Sequence, residues 1–335
     1  MRNGKKIAVA LLALIMLAGC GQTAATPETP EEEGPIYVEH VVLEEVDLED
    51  EMVALAAGPA ALNDLILPTA SGTAVEKNAK ATIDYSNAKD GYVMVNFTAS
   101  TTKRLRVQVF GPSYASTKLV YTYDLNPGEW TTYPLSDGSG SYKITVYEHT
   151  GVESKYAAVL SLTTTVTLSD EFAPFLRPNQ YVNYANATNT NAKAQELAGG
   201  ETDPLKKVEK VYDYVVNGLT YDKERASTVK SGYLPDLDSV LSEKKGICFD
   251  YAALMAGMLR SQGVPCKLIV GYAGEAYHAW ISVWTEETGW IDGAIYFDGT
   301  TWQRMDPTFA SSANSSSAIL KYIGDGSNYN GIYQY

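Results

Sequence analysis

Eleven residues, Phe249 to Leu259 (FDYAALMAGML), carry a single charged side chain, Asp250. They lack the alternation of a strand and the one-sided stripe of a surface helix. They read as a helix apolar all round, which is stable only when covered on every side. The chain has 335 residues and is 45% hydrophobic, enough to provide that cover. Immediately before the run stand Gly246, Ile247 and Cys248. A thiol in the first turn of such a helix lies among amides that favour negative charge and lower its pKa from ~8.5. Taken alone, Cys248 is equally compatible with a buried, inert cysteine.

The cover is legible on both sides of this run. Upstream, DPLKKVEKVYDYVVNGLTYD predicts a helix capped by Asp203, started by Pro204 and ended at Asn217-Gly218. Its Leu205, Val208, Val211, Tyr212, Val215 and Val216 share one face. Downstream come the strands KLIVGY and YHAWISVW, a hairpin through Asp298-Gly299, and WQRMDPTF. Helices followed by antiparallel strands give an α+β domain over residues 169–335. The apolar segment GAIYF inside this region reads as an extension of that sheet.

Residues 76–168 have a different period. RLRVQVFG and SYKITVYE alternate polar and apolar side chains. KATIDYS, GYVMVNFTA, KLVYTYDL, EWTTYPLS and YAAVLSLTTTV bring the strand candidates to seven, broken by LNPGE and SDGSG. The expectation is an N-terminal antiparallel β-sandwich. No cluster of ligand-binding type stands out along it, so it reads as a supporting spacer.

The first residues form an export signal. Arg2, Lys5 and Lys6 precede an apolar run from Ile7 to Leu17, too short to span a bilayer, and then Leu17-Ala18-Gly19-Cys20. That ending resembles the bacterial lipobox, which implies removal of residues 1–19, lipidation of Cys20 and a membrane lipoprotein facing the extracytoplasmic side. The formal net charge is −14; three of the 26 basic residues and none of the 40 acidic ones precede Cys20, so the mature balance is −17. Eleven acids and no Lys or Arg lie between Glu28 and Glu51, which makes residues 20–75 an acidic, partly ordered tether. Such a balance excludes nucleic acid as the expected partner. With Cys20 lipidated, Cys248 and Cys266 are too few for a disulfide framework.

Two further residues suit thiol chemistry. His278 is the one histidine of the second region, sharing a strand face with Trp280 and Ser282, and Asp306 stands in RMDPTF with Pro307 ending the strand. Sulfur attacks an amide carbonyl, imidazole takes and returns a proton, and a carboxylate holds the imidazole's tautomer. Zinc is disfavoured, because neither a C-x-x-C pair nor a second histidine is present there; no cofactor is expected. The amide of Cys248 suits an oxyanion, and Tyr221 in LTYD is either a second donor or a loop anchor. Cys266 reads as a small core residue. Trp280, Trp284 and Trp302 either narrow the approach to the thiol or fill the sheet faces.

GICFDYAALMAGMLRSQGVPCKLIVGY, YHAWISVW and WQRMDPTF, in this order, resemble the three motif blocks of the transglutaminase-like superfamily, over roughly Pro204 to Phe309. The resemblance implies a papain-related fold with Cys248 as nucleophile, His278 as base and Asp306 as orienting acid. It also implies a peptide or protein substrate, but not which reaction. Hydrolysis of amide bonds is the expectation, with protein crosslinking and a non-catalytic binding module as alternatives.

Overall fold

The computed structural model describes residues 65–286, 289–292, 295–297, 302–304 and 329–335. Cys20, the leader and most of the tether therefore lie outside the described residues, as does Asp306. Eight strands form the N-terminal part: β1 (Val75–Lys77), β2 (Ala81–Asp84), β3 (Tyr92–Phe97), β4 (Leu105–Phe110), β5 (Tyr121–Leu125), β6 (Thr131–Pro134), β7 (Gly140–His149) and β8 (Tyr156–Val166). They pair antiparallel in two four-stranded sheets, ordered β1-β2-β3-β6 and β5-β4-β7-β8. The alternation read from β4 has a direct outcome: Leu105, Val107 and Val109 are buried, while Arg106 and Gln108 keep solvent contact on the opposite face. Ile83, Val93, Val95 and Phe97 of the first sheet join Val107, Ile144 and Val146 of the second in one core. Each such side chain contributes about 1.5–3 kcal/mol on burial.

The second part begins with α1 (Thr188–Ala198) and α2 (Pro204–Gly218). Asp203 caps α2, its carboxylate accepting from Leu205 N at 2.9 Å. There follow β9 (Thr220–Tyr221), α3 (Lys223–Thr228), α4 (Leu237–Glu243), β10 (Lys245–Gly246) and α5 (Cys248–Ser261). The strands β11 (Cys266–Ala273), β12 (Ala276–Thr285), β13 (Gly289–Asp292), β14 (Ile295–Phe297), β15 (Trp302–Arg304) and β16 (Tyr329–Gln334) complete the order. A four-stranded antiparallel sheet runs β13-β12-β11-β16, and β9 and β10 form a two-stranded parallel ribbon.

Helix α5 packs between α1, α2 and α4 on one side and β11 and β12 on the other. Twelve of its fourteen residues are buried, which is why its sequence shows no polar stripe. One expectation fails here. Among the described residues GAIYF does not extend the main sheet: β14 pairs with β15, Phe297 opposite Trp302, in a two-stranded sheet of its own. The edge beside β11 is instead taken by β16, a strand the sequence pattern did not announce.

The two parts are joined by specific contacts. Gln180 and Asp124 exchange amide and backbone hydrogen bonds at 3.0 Å each, Gln334 Nε2 donates to Ser136 O at 2.9 Å, and Tyr121 and Tyr123 pack edge-on against Tyr335. Polar pairs and aromatic edges fix orientation as well as area.

Candidate active site

Cys248 is the first residue of α5 and is buried, with 3% of its surface exposed. The cap before it is Ile247, in extended conformation. Isoleucine has no oxygen for the first-turn amides, so the cap does not consume them as Ser, Thr or Asp would. The third helical residue makes up part of the difference. The Asp250 carboxylate reaches back to accept from Ile247 N at 2.8 Å, the reciprocal half of a capping box. Gly246 makes room for that return, since a Cβ there would sit 2.6 Å from Asp250 Cβ.

Asp250 is fully buried and accepts two more hydrogen bonds, from Tyr233 Oη at 2.7 Å and Arg225 Nη1 at 3.4 Å. Burial pushes its carboxyl above the usual aspartate range, while the bonds from Tyr233, Ile247 and Arg225 pull the other way. Arg225 also donates to Glu243 at 2.9 Å and lies 3.7 Å from Asp222, which Lys245 approaches at 3.2 Å. A lone carboxylate two residues from a thiol would oppose its ionisation. Arg225 supplies the compensating charge. In the sequence Asp250 stands out only as the one charge in an apolar run. An aspartate at the third position of the helix is the signal that could have revealed the cap; nothing local points to Tyr233 or Arg225.

His278 comes from the sheet. From Ser261 the chain turns through Gly263, at φ +75°, into β11, which packs on α5 together with β12. His278 stands on β12 as the register partner of Gly271. His278 is buried at 7% exposure and its ring stacks toward Trp280 at 6.3 Å. Gly271 is small for a reason: a Cβ there would lie 2.1 Å from Asn330 O of β16. That close approach lets β16 brace the strand pair behind His278.

Tyr221 ends β9 and is paired in parallel register with Gly246, two residues before Cys248. Asp222 N donates to Gly246 O at 2.8 Å, locking the ribbon against the start of α5. Of the tryptophans, Trp280 is buried against Tyr329 and Trp284 packs on Phe172, so both fill the sheet. The Trp302 side chain lies outside what is described. The exposed aromatics near His278 are Tyr277 and Tyr272, paired across the hairpin at 5.5 Å. Tyr181 packs on Phe249 at 5.7 Å, next to the thiol.

Cys266 occupies the other end of α5. It is fully buried, and burial pushes its thiol up to about 12. It is not disulfide-bonded, and neither is Cys248.

Residues 191–307 match the family profile of the Transglutaminase-like superfamily, spanning the thiol helix and the histidine strand. The chain carries a transglutaminase-like domain. Over 68 residues it is 31% identical to a protein-glutamine gamma-glutamyltransferase of Pseudomonas aeruginosa, a match covering 16% of this chain and 10% of that protein. Over 118 residues it is 30% identical to the uncharacterized protein YebA of Bacillus subtilis, covering 29% and 16%. The chain thus matches only a small part of the length of these relatives. The periplasmic domain of TgpA from Pseudomonas aeruginosa superposes with a TM-score of 0.32 at 16% identity, covering 74% of this chain and 99% of that one. The transglutaminase-like domain is mixed α+β with antiparallel sheets around a buried helix, as its sequence pattern required.

Proposed function

We propose that this chain is an exported, lipid-anchored thiol enzyme that acts on amide bonds of peptides or proteins and passes the acyl group to water. The observation that carries the proposal is Cys248 opening the buried helix α5 of a transglutaminase-like domain, with His278 buried on β12, a strand packed on that helix.

In this mechanism His278 takes the thiol proton and the Cys248 sulfur attacks the carbonyl carbon, placing negative charge on the carbonyl oxygen. The Cys248 amide and the Tyr221 hydroxyl, two residues away along the β9–β10 ribbon, donate to that oxygen. The carbon–nitrogen bond breaks as His278 protonates the leaving amine. Water, deprotonated by His278, then attacks the thioester and releases the acid and the thiol. Asp306 holds the imidazole's tautomer and stabilises its charged form. Cys20 carries the lipid, and the acidic segment behind it keeps the domain near the membrane surface.

A second reading is favoured by the similarity to a protein-glutamine gamma-glutamyltransferase. There the same thioester is resolved by a primary amine rather than water. A glutamine-containing peptide offered together with a biotinylated amine separates the two by mass spectrometry. Cleavage or deamidation is the expected outcome, lost in Cys248→Ala. Dominant amine incorporation assigns transamidation instead, and the absence of every product across a broad peptide set overturns both. Membrane fractionation of Cys20→Ala tests the anchor; a variant that still sediments with membranes overturns it.

A further inference from the structure

The sequence shows no ligand-binding cluster in the β-sandwich region, but the fold assembles one. The outward face of β4 presents Arg104, Arg106 and Gln108 in alternate positions; Thr122 of β5 lies opposite Gln108, and His149 and Tyr156 close the far side across the β7–β8 pair. Together they line an open cavity of about 650 Å³, within the range of small-ligand sites. We propose that this cavity binds the carboxylate of a peptide, as a second recognition site on the accessory domain.

Charge is unbalanced around Asp124. Asp124 is engaged by Arg104, through Nε at 3.2 Å and Nη2 at 3.0 Å. Arg106 reaches the same carboxylate only at 3.9 Å, makes no hydrogen bond, and has its Nε buried without a partner. Two guanidinium groups share one carboxylate, so the cluster of Arg104, Arg106 and Asp124 carries one positive charge over; Glu153 lines the same cavity but, among the described residues, forms no ion pair with either arginine. A planar guanidinium over an aromatic ring, as Arg106 lies over Tyr156 at 5.7 Å, is held flat for bidentate contact with a carboxylate. Gln108 and Thr122, bonded to each other at 3.3 Å, offer further polar contacts beside it. Glu153 carries an opposing charge, which disfavours an anion on its own side of the cavity and favours the side of Arg106.

The cavity also adjoins the thiol domain. A Cβ on Gly232 would lie 3.7 Å from Arg104 Nη2, and the next residue, Tyr233, donates to Asp250 at the start of α5. A peptide seated here would run toward the Cys248 end of the molecule; that extension rests on the proposed function, whereas the binding itself does not.

The test is calorimetry on the full-length Cys248→Ala protein in detergent, where turnover plays no part. Three peptides separate the sources of a carboxylate: acetyl-Ala-Glu-Ala-Ala-amide, acetyl-Ala-Ala-Ala-Ala with a free carboxyl end, and acetyl-Ala-Gln-Ala-Ala-amide. At least one carboxylate peptide is expected to bind with a Kd of about 1 mM or tighter, and at least about tenfold tighter than the glutamine control. Arg106→Met should abolish that difference with an unchanged melting temperature; Arg106→Gln serves if the first variant does not fold. Binding of the glutamate peptide alone assigns a side-chain carboxylate, and binding of the free-acid peptide alone a chain terminus. Equal binding of all three, no binding at all, or unchanged binding in both Arg106 variants overturns the proposal.

Discussion

The two ends of α5 bury charge for opposite purposes. At the N-terminal end Asp250 gathers donors from Ile247, Tyr233 and Arg225, so three segments meet at the first turn of α5. At the C-terminal end Arg260, 1% exposed, donates to three carbonyls: Cys266 O at 2.8 Å, Arg177 O at 2.7 Å and Tyr335 O at 2.5 Å. Burial lowers its guanidinium to about 10, so it remains charged at neutral pH. The arginine end is a clamp, tying the helix, the strand that follows it, the inter-domain connection and the last residue. The aspartate end frames the first turn of α5, where Cys248 stands. A cation near the C-terminus and an anion near the N-terminus also both suit the helix dipole.

Breaking the reactive end first should give the largest effect. Cys248→Ala is expected to lower amide-bond turnover at least about a thousandfold while leaving the melting temperature within a degree or two. Residual turnover within about tenfold of wild type would place the nucleophile elsewhere.

Arg260→Met breaks the clamp. It leaves three buried carbonyls without their donor and should cost about 3–5 kcal/mol, read from the urea midpoint. A loss under about 1 kcal/mol would mean that water or neighbouring amides replace the arginine.

Asp250→Asn keeps the shape of the frame and replaces an acceptor by an amide with only one accepting oxygen. A smaller loss, about 1–3 kcal/mol, is expected. The alkylation rate of Cys248 should change more in this variant than in Arg260→Met, because only Asp250 touches the thiol's own turn. Equal changes in both would erase the distinction between frame and clamp.

The finest comparison is between the two thiols. Their exposures differ little, 3% for Cys248 and 0% for Cys266, so a difference in reactivity must be electrostatic or dynamic. Iodoacetamide at neutral pH, with sites mapped by mass spectrometry, should label Cys248 at least about tenfold faster. Cys266 has its thiol raised from 9.0 to about 12, so the fold holds it neutral where an unfolded chain would ionise. Its contribution to stability is therefore intact below about pH 9 and is lost as pH rises from there toward 12. Cys266→Ala should flatten that part of the pH profile slightly.

What was legible in the sequence follows from periodicity. The strands of the N-terminal sheets alternate because one face is buried, and α5 lacks a polar stripe because its whole circumference is buried. Both are local patterns of burial, written residue by residue. The cap of α2 by Asp203 is local in the same sense. The placement of Cys248 at a helix start and of His278 on a strand was legible because the helix start and the strand run are visible in the pattern.

Tertiary structure alone decided the rest, since closing a loop brings together residues that have no period in common. Tyr233 and Arg225 converge on Asp250 only after α3 and α4 fold across the start of α5. β16 takes the edge of β11 where Gly271 leaves room for Asn330, fifty-nine positions away, and GAIYF finds its partner in Trp302–Arg304 instead. Arg104, Arg106, His149 and Tyr156 read as scattered outward-facing side chains until the β4–β7–β8 register sets them around one cavity. The sequence by itself determined which side chains must be buried and which thiol sits at a helix start. Which polar groups face one another was left to chain closure, because hydrogen bonds and ion pairs are satisfied by partners in space rather than by neighbours in sequence.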